Sequence, residues 1–319
     1  MGAGSIGCFV GGRLAAAGLP VHFIGRPRVL TELRAQGLKL SDFESGERRI
    51  EAGALSLSEA PPAGAPGLVL LCVKSAATAE AARQLAAVLP PGTLVLSLQN
   101  GIDNAAVAAA AAPSLRCLPG MVPFNVAQLA PGHFHRGSSG QLAAQDDPQL
   151  RAWQPAFERA GLPLHLHPDL HPTQWAKLLL NLNNPVNALS GLRLREQLLQ
   201  PGWRQLTAAL MQEGLAVLRA AGIEPAQLTP LPTAWLPAVM RLPTPLFRLV
   251  AARSLRVDPQ ARSSMADDLR LGRPLELDAL CGAVQRLGRR HGVATPWNDW
   301  MLARLSDHPP RDDMPAWDR

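Results

Sequence analysis

A lysine and two asparagines share one face of a predicted helix in the segment from Trp175 to Asn184. At ~100° per residue, Lys177, Asn181 and Asn184 fall on the same side, with leucines between them. An amine among apolar side chains is costly unless it has a partner or a task, and burial lowers its pKa toward the range of a useful proton donor. The spacing therefore indicates a general acid beside two carboxamides. A lysine at a domain edge whose amine reaches solvent stays open as the alternative.

The composition narrows the choice of proton donor. Of the 31 Lys and Arg residues, only Lys39, Lys74 and Lys177 are lysines. Because a guanidinium does not release its proton near neutral pH, the retained lysines are candidates for positions that need an ammonium group. The chain contains no tyrosine, which excludes every reductase mechanism in which a tyrosine donates the proton.

Proline at position 185 interrupts the same helix. Pro185 has no backbone N–H, so the carbonyl of Asn181 would lose its intrahelical donor if the helix continued. The sequence therefore predicts a kink at Pro185.

A glycine-rich run, GAGSIG at residues 2–7, opens a predicted helix near the N-terminus and is followed by a strand. In such a run the first glycine allows a tight turn, the second lets the backbone approach a pyrophosphate, and the third allows close helix packing. The helix N-terminus adds amides and partial positive charge. The predicted cofactor-binding residues in this run are Gly2, Gly4, Ser5, Ile6 and Gly7.

The end of the next strand indicates which nicotinamide cofactor binds. An NAD enzyme places an acidic residue there for the ribose hydroxyls. This chain instead has Arg26, with Arg28 close by, and arginines suit a 2′-phosphate. We therefore predict NADPH as the cofactor, and a pair of solvated surface arginines stays open as the alternative.

Four further polar residues stand at the ends of predicted elements. Lys74 and Asn100 follow two apolar strands, and open α/β sheets bind ligands at the carboxyl ends of their strands. An ordinary turn is the alternative for Asn100. Ser264 could cap a helix or bind an anion. Glu276 starts a predicted helix, where a carboxylate is also favoured for structural reasons.

The order of the predicted elements indicates an α/β protein with two domains. The first half alternates strands and helices, which favours a parallel sheet, whereas the chain from Thr173 onward is helical. We place the boundary near residues 168–172. Residues 1–170 form the predicted Rossmann-type NADP-binding domain, and residues 171–319 form an all-helical substrate domain.

The overall composition excludes several other classes. A hydrophobic fraction of 47% with 18% charged residues is ordinary for a globular protein, and no apolar run is long enough to cross a membrane. The net charge of +6 comes from arginines spread along the chain, so we predict an anionic small-molecule partner and no nucleic acid. The four cysteines are far apart with no CxxC pair. We therefore predict free thiols, no metal site and a cytoplasmic location.

The motifs together resemble the ketopantoate reductase (2-dehydropantoate 2-reductase) family. GAGSIG, VKS after a strand, QNG, WxKLLxN and SSMxxDxxxGRxxE occur in the family's order and spacing over nearly the whole chain. The resemblance implies an N-terminal Rossmann domain and a helical C-terminal domain. It also implies NADPH-dependent reduction of 2-dehydropantoate to (R)-pantoate on the route to pantothenate and coenzyme A. A homodimer stays open as the oligomeric state.

The resemblance also implies a role for individual residues. Lys177 would be the general acid for the C2 carbonyl oxygen, and Glu276 would orient it from the same pocket. Asn100 would lie near the nicotinamide and the substrate. The other implied contacts are to the substrate from Asn181 and Ser264, and to the cofactor phosphates from Arg26 and Lys74.

Two departures from the family pattern leave alternatives open. The family has a second asparagine eight residues after the lysine, where this chain has Pro185; Asn184 is the nearest substitute. A different small 2-keto acid, or a non-catalytic NADPH-binding role, is therefore an alternative, although the retained Lys177 and Glu276 speak against the latter. The family also has an apolar strand before GAGSIG, where this chain has only Met1. We expect that strand to be encoded directly upstream, and a form extended by it to be more stable.

Overall fold

The computed structural model describes residues 1–42, 46–252 and 261–306. The chain divides into two compact units, Met1–Leu170 and His171–Arg319, which we call unit 1 and unit 2. The predicted C-terminal tail from Asp307 lies outside the described residues.

Unit 1 alternates strands and helices. Its strands are β1 (His22–Ile24), β2 (Leu38–Asp42), β3 (Gly46–Ile50), β4 (Ser56–Ser58), β5 (Val69–Leu71), β6 (Leu94–Ser97), β7 (Arg116–Met121), β8 (Val126–Ala130), β9 (His133–Arg136), β10 (Leu142–Gln145) and β11 (Leu164–His167). Its α-helices are α1 (Ser5–Ala16), α2 (Pro27–Gln36), α3 (Thr78–Ala86), α4 (Asn104–Ala111), α5 (Pro148–Arg151) and α6 (Gln154–Arg159). Short 3₁₀ turns cover Ala52–Ala54 and Ser75–Ala77.

A five-stranded sheet of order β11-β10-β7-β6-β5 forms the larger part of the fold. Strands β5, β6 and β7 run parallel, whereas β10 is antiparallel to β7 and parallel to β11. Every residue of β6 is buried, as expected of a strand covered on both faces. The predicted α/β class is therefore confirmed, with β10 and β11 running opposite to β5, β6 and β7.

A second sheet, of order β3-β2-β9-β8, packs against α1 and was not predicted. Its strands are short, and β3 carries three charged residues in five positions, so its composition does not resemble a strand. The sheet is tied to α1 by a buried ion pair between Arg13 and Asp42 of β2, 3.1 Å apart. That long-range contact is not visible in any local pattern.

The first residues of the chain, which lead into the glycines of residues 2–7, lie between strand β1 and strand β5. Strand β1 pairs with β4, separately from the five-stranded sheet in the part of the chain that the structure describes. The amino group of Met1 donates to the Leu70 carbonyl (2.9 Å), and the Cys72 N–H donates to the Met1 carbonyl (2.8 Å). The Gly2 N–H donates to the Ile24 carbonyl (2.8 Å). Met1 and Gly2 thus hydrogen-bond to the β5 segment and to β1. The strand that we expect upstream of Met1 stays a prediction.

Unit 2 is helical over its described residues, which confirms the predicted class for this half. Its α-helices are α7 (His171–Asn181), α8 (Asn183–Ser190), α9 (Leu194–Leu199), α10 (Pro201–Ala220), α11 (Leu236–Met240), α12 (Thr244–Val250), α13 (Ser264–Arg270), α14 (Ala283–His291) and α15 (Pro296–Ser306). A 3₁₀ turn covers Thr233–Trp235, and a π-helical turn covers Asp278–Gly282.

Helix α10 organises unit 2, because α7, α8, α9, α11, α14 and α15 all contact it. Gly214 lets α7 approach closely, since a Cβ there would lie 2.5 Å from Leu179 Cδ2. The fully buried Arg204 donates to the carbonyls of Leu198 (3.0 Å), Met240 (3.0 Å) and Leu242 (2.9 Å). Buried hydrogen bonds of this kind fix the proline-rich segment against α10.

The predicted helix that carries Lys177, Asn181 and Asn184 is not continuous, because it is interrupted at Leu182 between α7 and α8. The break lies three residues before Pro185, where the kink was predicted. Restarting the helix at Asn183 places Pro185 in the first turn, whose N–H groups have no intrahelical acceptor. The proline thus costs no hydrogen bond.

Candidate active site

The three glycines of residues 2–7 differ in what surrounds them. Gly2 has φ +97°, and a Cβ on it would lie 2.6 Å from the Val73 nitrogen. A Cβ on Gly7 would lie 2.2 Å from the Gly2 carbonyl oxygen. A Cβ on Gly4, by contrast, would meet no described atom within 4 Å. Only at Gly4 is there open space, which suits the close approach of a phosphate group to the backbone.

The N-terminus of α1 offers backbone amides at this open space. The helix begins at Ser5, followed by Ile6, and its first turn contains no acidic residue. Gly4 at the N-cap position supplies no side-chain acceptor. The first amides of α1, together with the helix dipole, therefore suit an anionic group.

The two arginines after β1 differ in their contacts. Arg26 is exposed at the N-cap position of α2. Its guanidinium makes no hydrogen bond or ion pair within the described ranges 1–42, 46–252 and 261–306. Arg28 instead forms an ion pair with Glu32 one helical turn later. Arg26 is thus the arginine available to an incoming anion.

Lys74 and Asn100 are half-buried in the loops after β5 and β6. Gln99, the residue before Asn100, joins these loops, because its Nε2 donates to the Val73 carbonyl (3.0 Å). The Ser75 hydroxyl also donates to the Asn100 carbonyl (3.3 Å). The ends of two neighbouring parallel strands are therefore tied together at the edge where the sequence places the cofactor.

Sequence reasoning missed the buried side chains behind this edge. Thr78 and Asn104 hydrogen-bond to each other, to Gln99 and Asn100 in the loop after β6, and, through Asn104, to Ser75 after β5. Thr78 begins α3 and Asn104 begins α4. Both helices are rich in alanine, and Thr and Asn are common residues at helix starts. For Thr78, no local signal separates a helix start from a network member, because Gln99 and Asn104 are 21 and 26 residues away in the chain.

Lys177 lies in the last half of α7, with buried Ala176 and Leu178 on either side. Its side chain is half-buried. Desolvation lowers the pKa of Lys177 to about 8, and the Glu276 carboxylate acts in the opposite direction by favouring the charged amine. The structure thus brings Lys177 and Glu276 into electrostatic contact across ninety-nine positions of sequence (276 minus 177).

The four asparagines on α7 and α8 divide into two pairs. Asn183 exchanges hydrogen bonds with Gln197 (3.2 and 3.4 Å). The fully buried Asn187 accepts from the backbone N–H of Ser263 (2.8 Å). Asn181 and Asn184 are half-buried, and their carboxamides make no hydrogen bond to any residue that the structure describes. Asn181 and Asn184 are the asparagines predicted to share a face with Lys177. Their carboxamides can form hydrogen bonds with a ligand.

The start of α13 corrects the possible capping role of Ser264. Ser263 is the capping residue: its hydroxyl accepts from the Ala266 N–H (3.1 Å) and donates to the Asn184 carbonyl (3.2 Å). Ser264 is the exposed first residue of the helix. The cap therefore ties α13 to α8, and it leaves the Ser264 hydroxyl at the surface.

Glu276 is half-buried and stands just before the helical residues that start at Leu277. A π-helical turn over Asp278–Gly282 follows at once, a feature often found near functional sites. The helix that we predict to start at Glu276 thus begins one residue later, at Leu277, and with a wider first turn.

Metal sites, membrane-spanning helices and disulfides are three further features that the described residues bear on. Among them, no group of three or more His, Cys, Asp or Glu side chains is placed to hold a metal ion. Within the same ranges, every helix is too short or too polar to cross a bilayer. All four cysteines are free thiols.

Family comparison covers both units. The family model described as "Ketopantoate reductase PanE/ApbA" matches residues 1–149. The model described as "Ketopantoate reductase PanE/ApbA C terminal" matches residues 169–308.

Individual relatives are similar over nearly their full length. The 2-dehydropantoate 2-reductase of Halobacterium salinarum is 30% identical over 92% of this chain and 93% of its own. That of Mesorhizobium japonicum is 29% identical over 95% and 94%. The crystal structure of a PanE/ApbA family ketopantoate reductase from Ralstonia eutropha JMP134 superposes with a TM-score of 0.81 at 30% identity, covering 96% of each chain.

Proposed function

Because this chain belongs to the ketopantoate reductase family, we propose that it reduces 2-dehydropantoate to (R)-pantoate with NADPH. The reaction would serve the synthesis of pantothenate and coenzyme A. The observation that carries the proposal is the environment of Lys177, whose desolvated amine has its pKa lowered to about 8 beside Glu276. An amine with that pKa is charged at neutral pH and can still give up its proton.

Lys177 is the general acid in this proposal. Reduction of a ketone adds a hydride to carbon and a proton to oxygen, and NADPH supplies the hydride when bound. The Lys177 ammonium donates the proton to the C2 carbonyl oxygen. The Glu276 carboxylate keeps the amine charged before transfer, and it orients Lys177 toward the substrate.

The residues of unit 1 fit a dinucleotide phosphate. The open space over Gly4 and the first amides of α1 receive the pyrophosphate. The exposed Arg26 guanidinium takes the 2′-phosphate, with Lys74 on the same phosphate side. Residues 1–170 are therefore proposed as the NADP-binding domain, and the remainder as the substrate domain.

The substrate is held by carboxamides and a hydroxyl. Asn181 and Asn184 offer hydrogen bonds that no described residue uses, and Ser264 presents an exposed hydroxyl. Asn100 is proposed to contact both the nicotinamide and the substrate. A cytoplasmic location and a homodimer complete the proposal, the latter to be checked by light scattering.

A second candidate is a reductase of another small 2-keto acid. It is favoured by Pro185, which is buried at the position of the family's second asparagine. Asn187 cannot replace that asparagine, since its carboxamide is already bonded to Ser263 and Leu192. Loss of a polar contact at this point would favour a substrate with a less polar side chain.

A panel of 2-keto acids tests the proposal. NADPH oxidation is followed with 2-dehydropantoate and with straight, branched and aromatic 2-keto acids. We expect the highest kcat/KM with 2-dehydropantoate. A higher value for another acid would support the second candidate, and no oxidation with any acid would leave a non-catalytic NADPH-binding protein.

A further inference from the structure

The loop that carries Asn100 rests on a buried polar network formed by Thr78, Gln99 and Asn104. Thr78 is fully buried, and the other two are nearly so. The Gln99 Nε2 donates to Thr78 Oγ1 (2.6 Å), and the Thr78 hydroxyl donates its proton to Asn104 Oδ1 (2.9 Å). The Ser97 hydroxyl donates to Gln99 Oε1 (2.8 Å), which fixes the other end.

This network sets the orientation of the Asn104 carboxamide. Because Thr78 has a single hydroxyl proton and accepts from Gln99, its proton goes to the oxygen of Asn104. The Nδ2 group of Asn104 is therefore directed at the Asn100 carbonyl, 2.6 Å away, and at Ser75 Oγ, 3.3 Å away. A flipped amide would place oxygen against oxygen at the Asn100 carbonyl.

The Asn100 carbonyl is thus held by two donors from different segments. One is Asn104 in α4, and the other is Ser75 in the loop that contains Lys74. The next residue, Gly101, has φ +90°, a backbone conformation that side chains disfavour. The peptide between Asn100 and Gly101 is therefore fixed by buried hydrogen bonds and a turn that favours glycine.

We infer that Asn104 is a positioning residue for the reduction. It fixes the backbone from which the Asn100 side chain projects, and through Ser75 it joins that backbone to the Lys74 loop. The inference rests on the proposed function, in which Asn100 contacts the nicotinamide and the substrate. A displacement of about 1 Å at such a contact can cost about a hundredfold in rate.

The test replaces Asn104 with a side chain of similar shape and no hydrogen bonds. Asn104→Leu is compared with Gln154→Met, a matched control in the same unit, because Gln154 Nε2 also donates to a backbone carbonyl, that of Leu164 (3.0 Å). We expect Asn104→Leu to lower kcat for 2-dehydropantoate by about tenfold to a hundredfold. The dissociation constant of NADPH should change by less than about threefold, since the proposed phosphate contacts at Gly4, at the first amides of α1 and at Arg26 lie outside this network. The control should match the parent in both.

A second pair of variants covers the case in which Asn104→Leu does not fold. Thr78→Val removes the hydroxyl that orients Asn104, whereas Thr78→Ser retains it. We expect Thr78→Val to lower kcat and Thr78→Ser to restore it. A purely structural role predicts equal kcat for the folded fractions of both variants, and that result would overturn the inference.

The fluorescence of bound NADPH separates this inference from the proposed function. An ordered nicotinamide should emit more strongly in the parent than in Asn104→Leu or Thr78→Val, even when no substrate is present. If the parent reduces no 2-keto acid, the proposed function fails and the emission alone decides on Asn104. Equal emission or unchanged kcat in the Asn104 and Thr78→Val variants would refute the positioning role.

Discussion

Unit 1 and unit 2 use their polar side chains in opposite ways. Behind the strand ends of unit 1, the carboxamides of Gln99 and Asn104 are consumed by hydrogen bonds within the protein. On the α7–α8 pair of unit 2, the carboxamides of Asn181 and Asn184 have no such partner among the described residues. The same chemical group therefore fixes backbone in one unit and is left available to a ligand in the other.

Hydrogen bonding within the protein distinguishes side chains that position the backbone from side chains that can bind a ligand. A buried polar group that is fully hydrogen-bonded stabilises a unique geometry, whereas a half-buried group with no bond to the protein can exchange water for a ligand. Asn183 and Asn187 strengthen the point, because they stand on α8 near Asn184 and are bonded to the protein. Helix position alone does not decide the role.

The largest expected effect is at Lys177. Replacing Lys177 with Ala should lower kcat by about 10²–10⁴-fold, the contribution typical of a positioned proton donor. NADPH binding, measured by fluorescence titration, should change little. Lys177→Arg should be nearly as inactive, because a guanidinium keeps the charge but does not release a proton. An arginine variant that keeps most of the activity would make Lys177 an electrostatic anchor.

A smaller effect is expected at Asn181, for which we propose ligand binding. Asn181→Ala should lower kcat/KM for 2-dehydropantoate by about tenfold to a hundredfold through a lost hydrogen bond to a charged substrate. Its melting temperature should stay that of the parent. Asn183→Ala is the matched control. We expect it to lower the melting temperature and to leave kcat/KM unchanged, because Asn183 bonds to Gln197 and Thr207. Equal kinetic defects in both variants would contradict the division.

Asn187 tests the other side of the comparison. Asn187→Ala leaves the backbone groups of Ser263 and Leu192 without their partners. Urea denaturation should show a free energy of unfolding lower by about 1–3 kcal/mol. For Asn184→Ala we expect a change within about 0.5 kcal/mol. If Asn184→Ala is the more destabilised variant, its carboxamide has a structural partner after all.

The smallest expected effect is on cofactor choice. The parent should prefer NADPH to NADH, and Arg26→Ala should weaken NADPH binding by about tenfold by removing a charge-assisted bond to the 2′-phosphate. Arg28→Ala is the control, since Arg28 is paired with Glu32. Steady-state kinetics with both cofactors measures the effect. Equal use of NADH by the parent would show that Arg26 does not set the preference.

Features that depend on nearby residues could be predicted from the sequence. The glycines of residues 2–7 act within one turn, so their spacing already indicates their geometry. The polar face of α7 follows from helical periodicity. By contrast, Thr78 meets Gln99 and Asn104 only because parallel strands bring their loops to one edge. No local pattern contains that contact.

Helix ends were the other limit of prediction. Ser263 and Ser264 are equally good caps by residue type, and only the observed start of α13 shows that Ser263 fills the role. The break at Leu182 could be inferred from Pro185 but not placed, because a proline is tolerated anywhere in a first turn. Such one-turn differences decide which hydroxyl or carboxamide faces a ligand.

The pH dependence of kcat/KM tests the central claim most directly, namely that a desolvated Lys177 held charged by Glu276 donates the proton. Since the ammonium is the active form, kcat/KM should be constant below pH about 8 and fall about tenfold per unit above it. Glu276→Gln removes the charge that raises the pKa of Lys177, so the fall should begin at lower pH. A profile that shows no fall up to pH about 10, or a fall near pH 8 that persists in Lys177→Arg, would contradict the account.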